Sequence, residues 1–192
     1  MSADTIVVIE ADLHRPDHRL AIEELTAAYA RDAMGNNAPL PDAVLRALVP
    51  GLIEHPTTLV LLAYAGRAVV GIATCFRGFS TFAARPVLNI HDLCVLEGHR
   101  GRGIGRALMQ AAERAASARG CAKVTLEVQE HNHRARHLYE SVGFSQAVYN
   151  PDNGGALFYV KAIGGPGTDG AGRTGDQNPP SSLSPPLAQD RE

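Results

Sequence analysis

Residues 89–105 read NIHDLCVLEGHRGRGIG. An apolar run ends there in a basic, glycine-rich turn. The turn runs straight into RALMQAAERAASARG, a helical pattern. The local unit is strand, turn, helix. A helix start exposes unpaired backbone N–H groups and a partial positive charge, and both favour an anion. Gly101, Gly103 and Gly105 carry no Cβ, so a ligand can come close to the main chain. Arg100, Arg102 and Arg106 add charge where a pyrophosphate would sit. The stretch reads as a phosphate-holding turn.

Two familiar phosphate loops do not fit it. The nucleoside-triphosphate loop needs G-x-x-x-x-G-K-[ST], which is absent. The dinucleotide turn needs G-x-G-x-x-G, and Arg106 stands where its third glycine belongs. The string present is R-x-x-G-x-G, on Arg100, Gly103 and Gly105, preceded by Leu93, Cys94 and Val95. Further on, Asn132 to Phe144 fits N-x-x-A-x-x-x-Y-x-x-x-G-F. Asn132, Ala135 and Tyr139 are spaced i, i+3, i+7, which puts them on one helix face.

Together the two strings resemble the signatures of the GNAT family of N-acetyltransferases. The resemblance spans roughly residues 4–163 and is most specific over 87–144. It implies acetyl-CoA as co-substrate and a cofactor site at Leu93, Cys94, Val95, Arg100, Gly101, Arg102, Gly103, Ile104, Gly105, Arg106, Asn132, Ala135 and Tyr139. It implies that the pantetheine arm lies along main chain near Leu93 and Val95, with the Leu93 N–H polarising the thioester carbonyl. Asn132 would contact that arm, small Ala135 would let it pass, and the Tyr139 hydroxyl would protonate the leaving sulfur. A phenol near pKa ~10 holds its proton at neutral pH.

The amine also needs a base, since an alkyl amine near pKa ~10 is mostly protonated at pH 7. Strand alternation puts Asn89, His91 and Leu93 on one face and Asp92 on the other. His91 is then the expected base, directly or through a water. Many relatives of the family carry Glu near this position, and the His is a departure. Cys94, opposite Leu93, is not expected to be a nucleophile. Transfer is expected to be direct, in a ternary complex with the amine. Acceptor walls are expected from residues 29–37, 78–85 and 150–155. Phe79 and Phe82 are expected to anchor their loop to the core rather than to supply an apolar wall there, and Asp92 and Asp152 would attract a cation. The rival readings are a non-catalytic acyl-CoA-binding module of the same fold and, less well supported, a dinucleotide-dependent oxidoreductase.

Composition sets the outer bounds. The chain has 192 residues, 45% of them hydrophobic and 20% charged, with a formal net charge of −2. That suits one domain with a sizeable core. It gives no bulk electrostatic case for a nucleic-acid partner. No apolar run reaches the ~18 residues of a membrane span. The N-terminus lacks the basic start and apolar run of a secretory signal. Cys75, Cys94 and Cys121 form no C-x-x-C pair and read as reduced thiols of a cytoplasmic protein. His131, His133 and His137 lack an H-E-x-x-H frame or matching carboxylates, so no metal is expected. The family resemblance leaves room for a homodimer.

Patterning along the chain predicts strands over 5–11, 57–64, 68–76, 87–96, 123–129, 144–149 and 156–163. Helices are expected from Asp17 to about Met34, over 42–49 with a kink or split at Pro50-Gly51, over 103–119, and over 132–141. Leu20, Ile22, Leu25, Ala28 and Tyr29 would share the inner face of the first. Residues 78–86 are expected as a loop. The order β-α-α-β-β-β-α-β-α-β-β is a mixed α/β layer fold. The resemblance specifies a mostly antiparallel sheet with a splayed parallel strand pair and flanking helices. Residues 1–163 would form the acetyltransferase domain. Residues 164–192, rich in Gly, Pro and Ser, would be a disordered tail.

Overall fold

The computed structural model describes residues 5–147 and Tyr159. The described residues up to Gln146 form one compact unit, which the account below concerns. Its elements are β1 (Ile6–Glu10), α1 (Pro16–Arg31), α2 (Asp42–Glu54), β2 (Thr58–Ala65), β3 (Ala68–Ser80), β4 (Arg85–Val95), a 3-10 turn (Glu97–His99), α3 (Ile104–Ala118), β5 (Val124–Leu126) and α4 (His133–Ser141). The strands lie in the order β1-β2-β3-β4-β5. All neighbours are antiparallel except β4 and β5, which are parallel. Among the described residues no helix is long and apolar enough to cross a membrane.

Each sheet face carries its own core. α3 packs on one face, because Ile104, Leu108, Ala111, Ala112 and Ala116 recur at helical spacing and meet Ala73, Cys75, Leu88 and Ile90. Full burial of a residue such as Leu108 is worth about 1.5–3 kcal/mol. Gly71 lets the helix sit close, since a Cβ there would lie 3.2 Å from both Ile104 and Leu108 side chains. The other face is covered by α1 and α2 through Ile22, Leu25, Val49 and Leu52, against Val60, Leu62, Ile72 and Cys94.

Several expectations are corrected. α2 is not split at Pro50 but continues to Glu54. Pro50 and Arg46 are both exposed, so water can serve the carbonyl that loses its partner. On α1 the inner face includes His18, whose Nδ1 accepts the Asp12 N–H at 2.9 Å, while Leu20 is exposed. The expected loop at 78–86 is mostly hairpin: β3 and β4 stay paired out to Ser80 and Arg85. Phe79 and Phe82 are 65% and 95% exposed, so neither anchors this segment to the core. β5 is only three residues long, for a reason that bears on the site. The expected strands at 144–149 and 156–163 fall mostly outside the described residues, though 144–147 are not strand. The tail and Asp152 lie outside them altogether.

Candidate active site

The parallel pair opens. β5 pairs with β4 only at Leu88, Asn89 and Ile90, whereas β4 continues to Val95. Between Ile90 and Asp92 the register against β3 slips, with Cys75 opposite Ile90 and Thr74 opposite Asp92. His91 is the extra residue of a β-bulge, and the slip inverts the alternation. Leu88 and Ile90 face α3 before the bulge, and Leu93 and Val95 face it after. Cys94 lies on the α1/α2 face.

Peptide groups invert with the side chains. Leu88 N–H points to β5, donating to Lys123 O at 3.1 Å, and Leu96 N–H points to β3, donating to Val70 O at 3.0 Å. Alternation back from Leu96 turns the peptide groups of Val95 and Leu93 to the edge β5 has left. That edge borders a cavity of about 440 Å³.

Four remote segments line it. Leu93, Cys94 and Val95 form one side. Arg100, Gly101, Gly103, Ile104, Gly105 and Arg106 form the next. Asn132, Ala135, Leu138 and Tyr139 from α4 stand opposite, and Tyr29, Asp32 and Met34 close the remaining side. Every residue expected to bind the cofactor or act in catalysis is gathered here except two, while Asp92, expected at the acceptor, and Phe79 and Phe82 do not line it. Arg102 is exposed outside the cavity and makes no side-chain hydrogen bond among the described residues. His91 is exposed, and its ring meets Phe76 edge-on at 5.5 Å, on the α1/α2 face. The expected sharing of a face by His91 and Leu93 is thus corrected: the bulge puts His91 with Asp92 instead.

The α3 start fits an anion. Gly103 occupies the N-cap at φ 81°, a left-handed conformation that suits glycine. No side chain caps the helix, so its first N–H groups remain available. Gly105 plays a different part from the expected one. A Cβ there would lie 2.8 Å from Leu138 Cδ2, so this glycine serves the approach of α4. Asn132 is the N-cap of α4 rather than its first residue, and its Oδ1 accepts the Ala135 N–H at 3.1 Å.

The arginines differ from expectation as well. Arg100 Nε donates to Val95 O at 2.8 Å, and Nη2 donates to Asp32. Arg106 Nη2 donates to Ser141 Oγ at 2.8 Å. Arg100 and Arg106, unlike Arg102, thus have protein partners, which redirects charge expected at a phosphate. Asp32 was within the anticipated acceptor segment, but its tie to Arg100 spans 68 residues and no spacing announces it. His99 also lines the cavity, with its Nδ1 buried and unbonded among the described residues. No motif pointed to it.

Burial tunes the titratable groups. It pushes the Tyr139 phenol up to about 12, with Tyr29 adding to the effect. It raises Tyr29 too, helped by Asp92. It lifts the Asp92 carboxyl above the usual carboxylate range, partly offset by His91. It pushes the Cys94 thiol up to about 11, which leaves it protonated and a poor nucleophile. Asp32 is held below the carboxylate range, first by the Arg100 hydrogen bond and then by the Met34 N–H.

An opened parallel strand edge, an uncapped helix start and a phenol thus surround one cavity. Residues 21–144 match the sequence profile described as the acetyltransferase (GNAT) family. The chain belongs to that family. Its GNAT relatives include an uncharacterized N-acetyltransferase, YhfO, of Bacillus subtilis (strain 168), 28% identical over 100 residues, 52% of this chain and 67% of the relative. A streptothricin acetyltransferase of Streptomyces lavendulae is 43% identical over 70 residues, 36% of this chain and 37% of that protein. The chain thus matches between about a third and two thirds of these relatives' lengths. Among solved GNAT-like structures, AAC(6′)-Iy in complex with the bisubstrate analogue CoA-S-monomethyl-acetylneamine superposes with a TM-score of 0.65. It is 17% identical, covering 83% of this chain and 99% of that one, a likeness of fold.

Proposed function

We propose that the protein transfers the acetyl group of acetyl-CoA directly to a primary amine in a ternary complex. The observation that carries this reading is the convergence of the freed β4 edge, the uncapped α3 start and Tyr139 on one cavity. The backbone N–H groups at the α3 start bind the pyrophosphate, and Leu93 and Val95 main chain receives the pantetheine arm. Ala135 gives it room, and the Asn132 amide nitrogen is left to donate to it. The Leu93 N–H donates to the thioester carbonyl, where negative charge grows as the amine attacks. The C–N bond forms, the C–S bond breaks, and the Tyr139 hydroxyl donates to the departing sulfur.

The amine's proton goes to the His91–Asp92 pair. Asp92 is the less exposed member, its charge is felt at the Tyr29 hydroxyl, and exposed His91 passes the proton to water. The acceptor is a small cationic amine. This rests on the Asp92 carboxylate, whose charge is felt at Tyr29, and on streptothricin, the compound in the name of one relative above.

Mass spectrometry of a panel of small amines and short peptides incubated with acetyl-CoA tests the reading. Initial-rate plots for any acetylated acceptor should intersect, as a ternary complex requires. Parallel plots would contradict direct transfer. Gly103→Ala is expected to cost about 1–3 kcal/mol in backbone strain and to weaken acetyl-CoA binding by about tenfold. Calorimetric titration of that variant measures it.

A further inference from the structure

We propose that Arg100, although it opens the R-x-x-G-x-G string, acts with Asp32 as a strut that positions the acceptor side of the site against β4. The inference rests on the function proposed above and names two positioning residues for it.

Asp32 organises the segment after α1. Its N–H bonds Tyr29 O at 3.0 Å, and its carbonyl accepts from Gly35 N–H at 2.9 Å and Asn37 N–H at 3.2 Å. Its Oδ1 accepts from Met34 N–H at 2.8 Å. The turn is tight: a Cβ on Gly35 would fall 2.0 Å from Tyr29 O. The remaining oxygen, Oδ2, takes the Arg100 guanidinium. Arg100 completes the link through Nε, which donates to Val95 O at the end of β4.

One planar fork thus joins the α1 end to the strand that carries Leu93. The pair is well shielded, with side chains 23% and 18% exposed. A fork with both arms engaged has a fixed orientation, which a flexible ammonium would not give. Tyr29 and Met34 line the cavity from the same segment, so the strut sets their distance from the reacting centre. It also neutralises Arg100. The phosphate end then relies on the backbone N–H groups of α3, and loss of Arg100 should cost little cofactor affinity.

The test compares Asp32→Asn, Arg100→Gln, Arg100→Lys and the double variant Asp32→Asn/Arg100→Gln. Acetyl-CoA affinity is read by calorimetry, acceptor kinetics by steady-state rates, and the Met34, Gly35 and Asn37 amides by hydrogen exchange. Displacement of about 1 Å can cost around 10²-fold in rate. Asp32→Asn and Arg100→Gln are therefore each expected to lower acceptor kcat/KM by about 10- to 100-fold, with the double no worse than the worse single. Acetyl-CoA Kd should stay within about threefold throughout, and exchange at the three amides should quicken alike in Asp32→Asn and Arg100→Gln. Arg100→Lys keeps the buried charge paired and secures a folded comparison. It should recover part of the lost rate.

A tenfold or larger rise in acetyl-CoA Kd for Arg100→Gln, without amide changes, would assign Arg100 to the phosphate and overturn the strut. Rate losses that multiply in the double variant would overturn it too. The binding and exchange arms need no turnover. If no amine is acetylated, they still decide the strut while the proposed function fails separately.

Discussion

Tyr139→Phe is expected to lower kcat by about 10²- to 10³-fold, the usual loss when one preorganised donor to a growing charge is removed. Acetyl-CoA affinity should stay close to that of the parent. The phenol at about 12 holds its proton throughout the neutral range, so it is available as a donor and not as a base. Complete transfer to a thiolate whose thiol titrates near ~8.5 would be uphill. The hydroxyl therefore acts chiefly as a hydrogen-bond donor to the sulfur while charge accumulates there. Phe keeps the ring, which lies 6.3 Å from that of Phe144, so packing should survive. Single-turnover rates together with thermal unfolding separate the two effects. A variant that unfolds early, with kcat intact per folded molecule, would reduce Tyr139 to a packing residue.

Asp92→Asn is expected to lower kcat/KM by about 10²- to 10⁴-fold, the range for a positioned base. A base works deprotonated. With its pKa raised by burial, Asp92 loses the required form as pH falls through a value above the ordinary carboxylate range. The acidic limb of the parent pH–rate profile should sit at that raised value, and the Asn variant should lack it. His91→Ala should keep the limb. Stability should move the other way. A carboxyl whose folded pKa is raised binds more protons folded than unfolded, so its charged form destabilises the fold as pH rises. Asp92→Asn should therefore unfold at a higher temperature than the parent at pH 7. An unchanged acidic limb in Asp92→Asn would remove Asp92 as the base.

Much of this site was legible as sequence because it is built from contiguous strings. The strand–turn–helix of 89–105 and the spacing of Asn132, Ala135 and Tyr139 each state a local geometry, and the cavity gathers both. Alternation failed at one residue. The bulge at His91 shifts everything after it by one place, and a strand read as regular puts His91 on the wrong face. A bulge is fixed by the partner strand, which local periodicity does not contain. The same holds for Arg100. Its motif suggested a phosphate ligand, while its partner lies in a distant segment whose approach only the folded sheet brings about. Pro50 and the Phe79–Phe82 region misled for another reason. Pro and Gly mark probable breaks, yet an exposed helix turn tolerates Pro50, and ten cross-strand pairs carry the β3–β4 hairpin to Ser80.

The most direct measurement is release of the CoA thiol from acetyl-CoA across the amine panel, for the parent and Tyr139→Phe side by side. The predicted result is amine-dependent release by the parent that falls by about two orders of magnitude or more in the variant. Saturable acetyl-CoA binding with no release for any amine would contradict catalysis and favour a binding module of the same fold. Failure to bind acetyl-CoA at all would contradict the reading of the cavity itself.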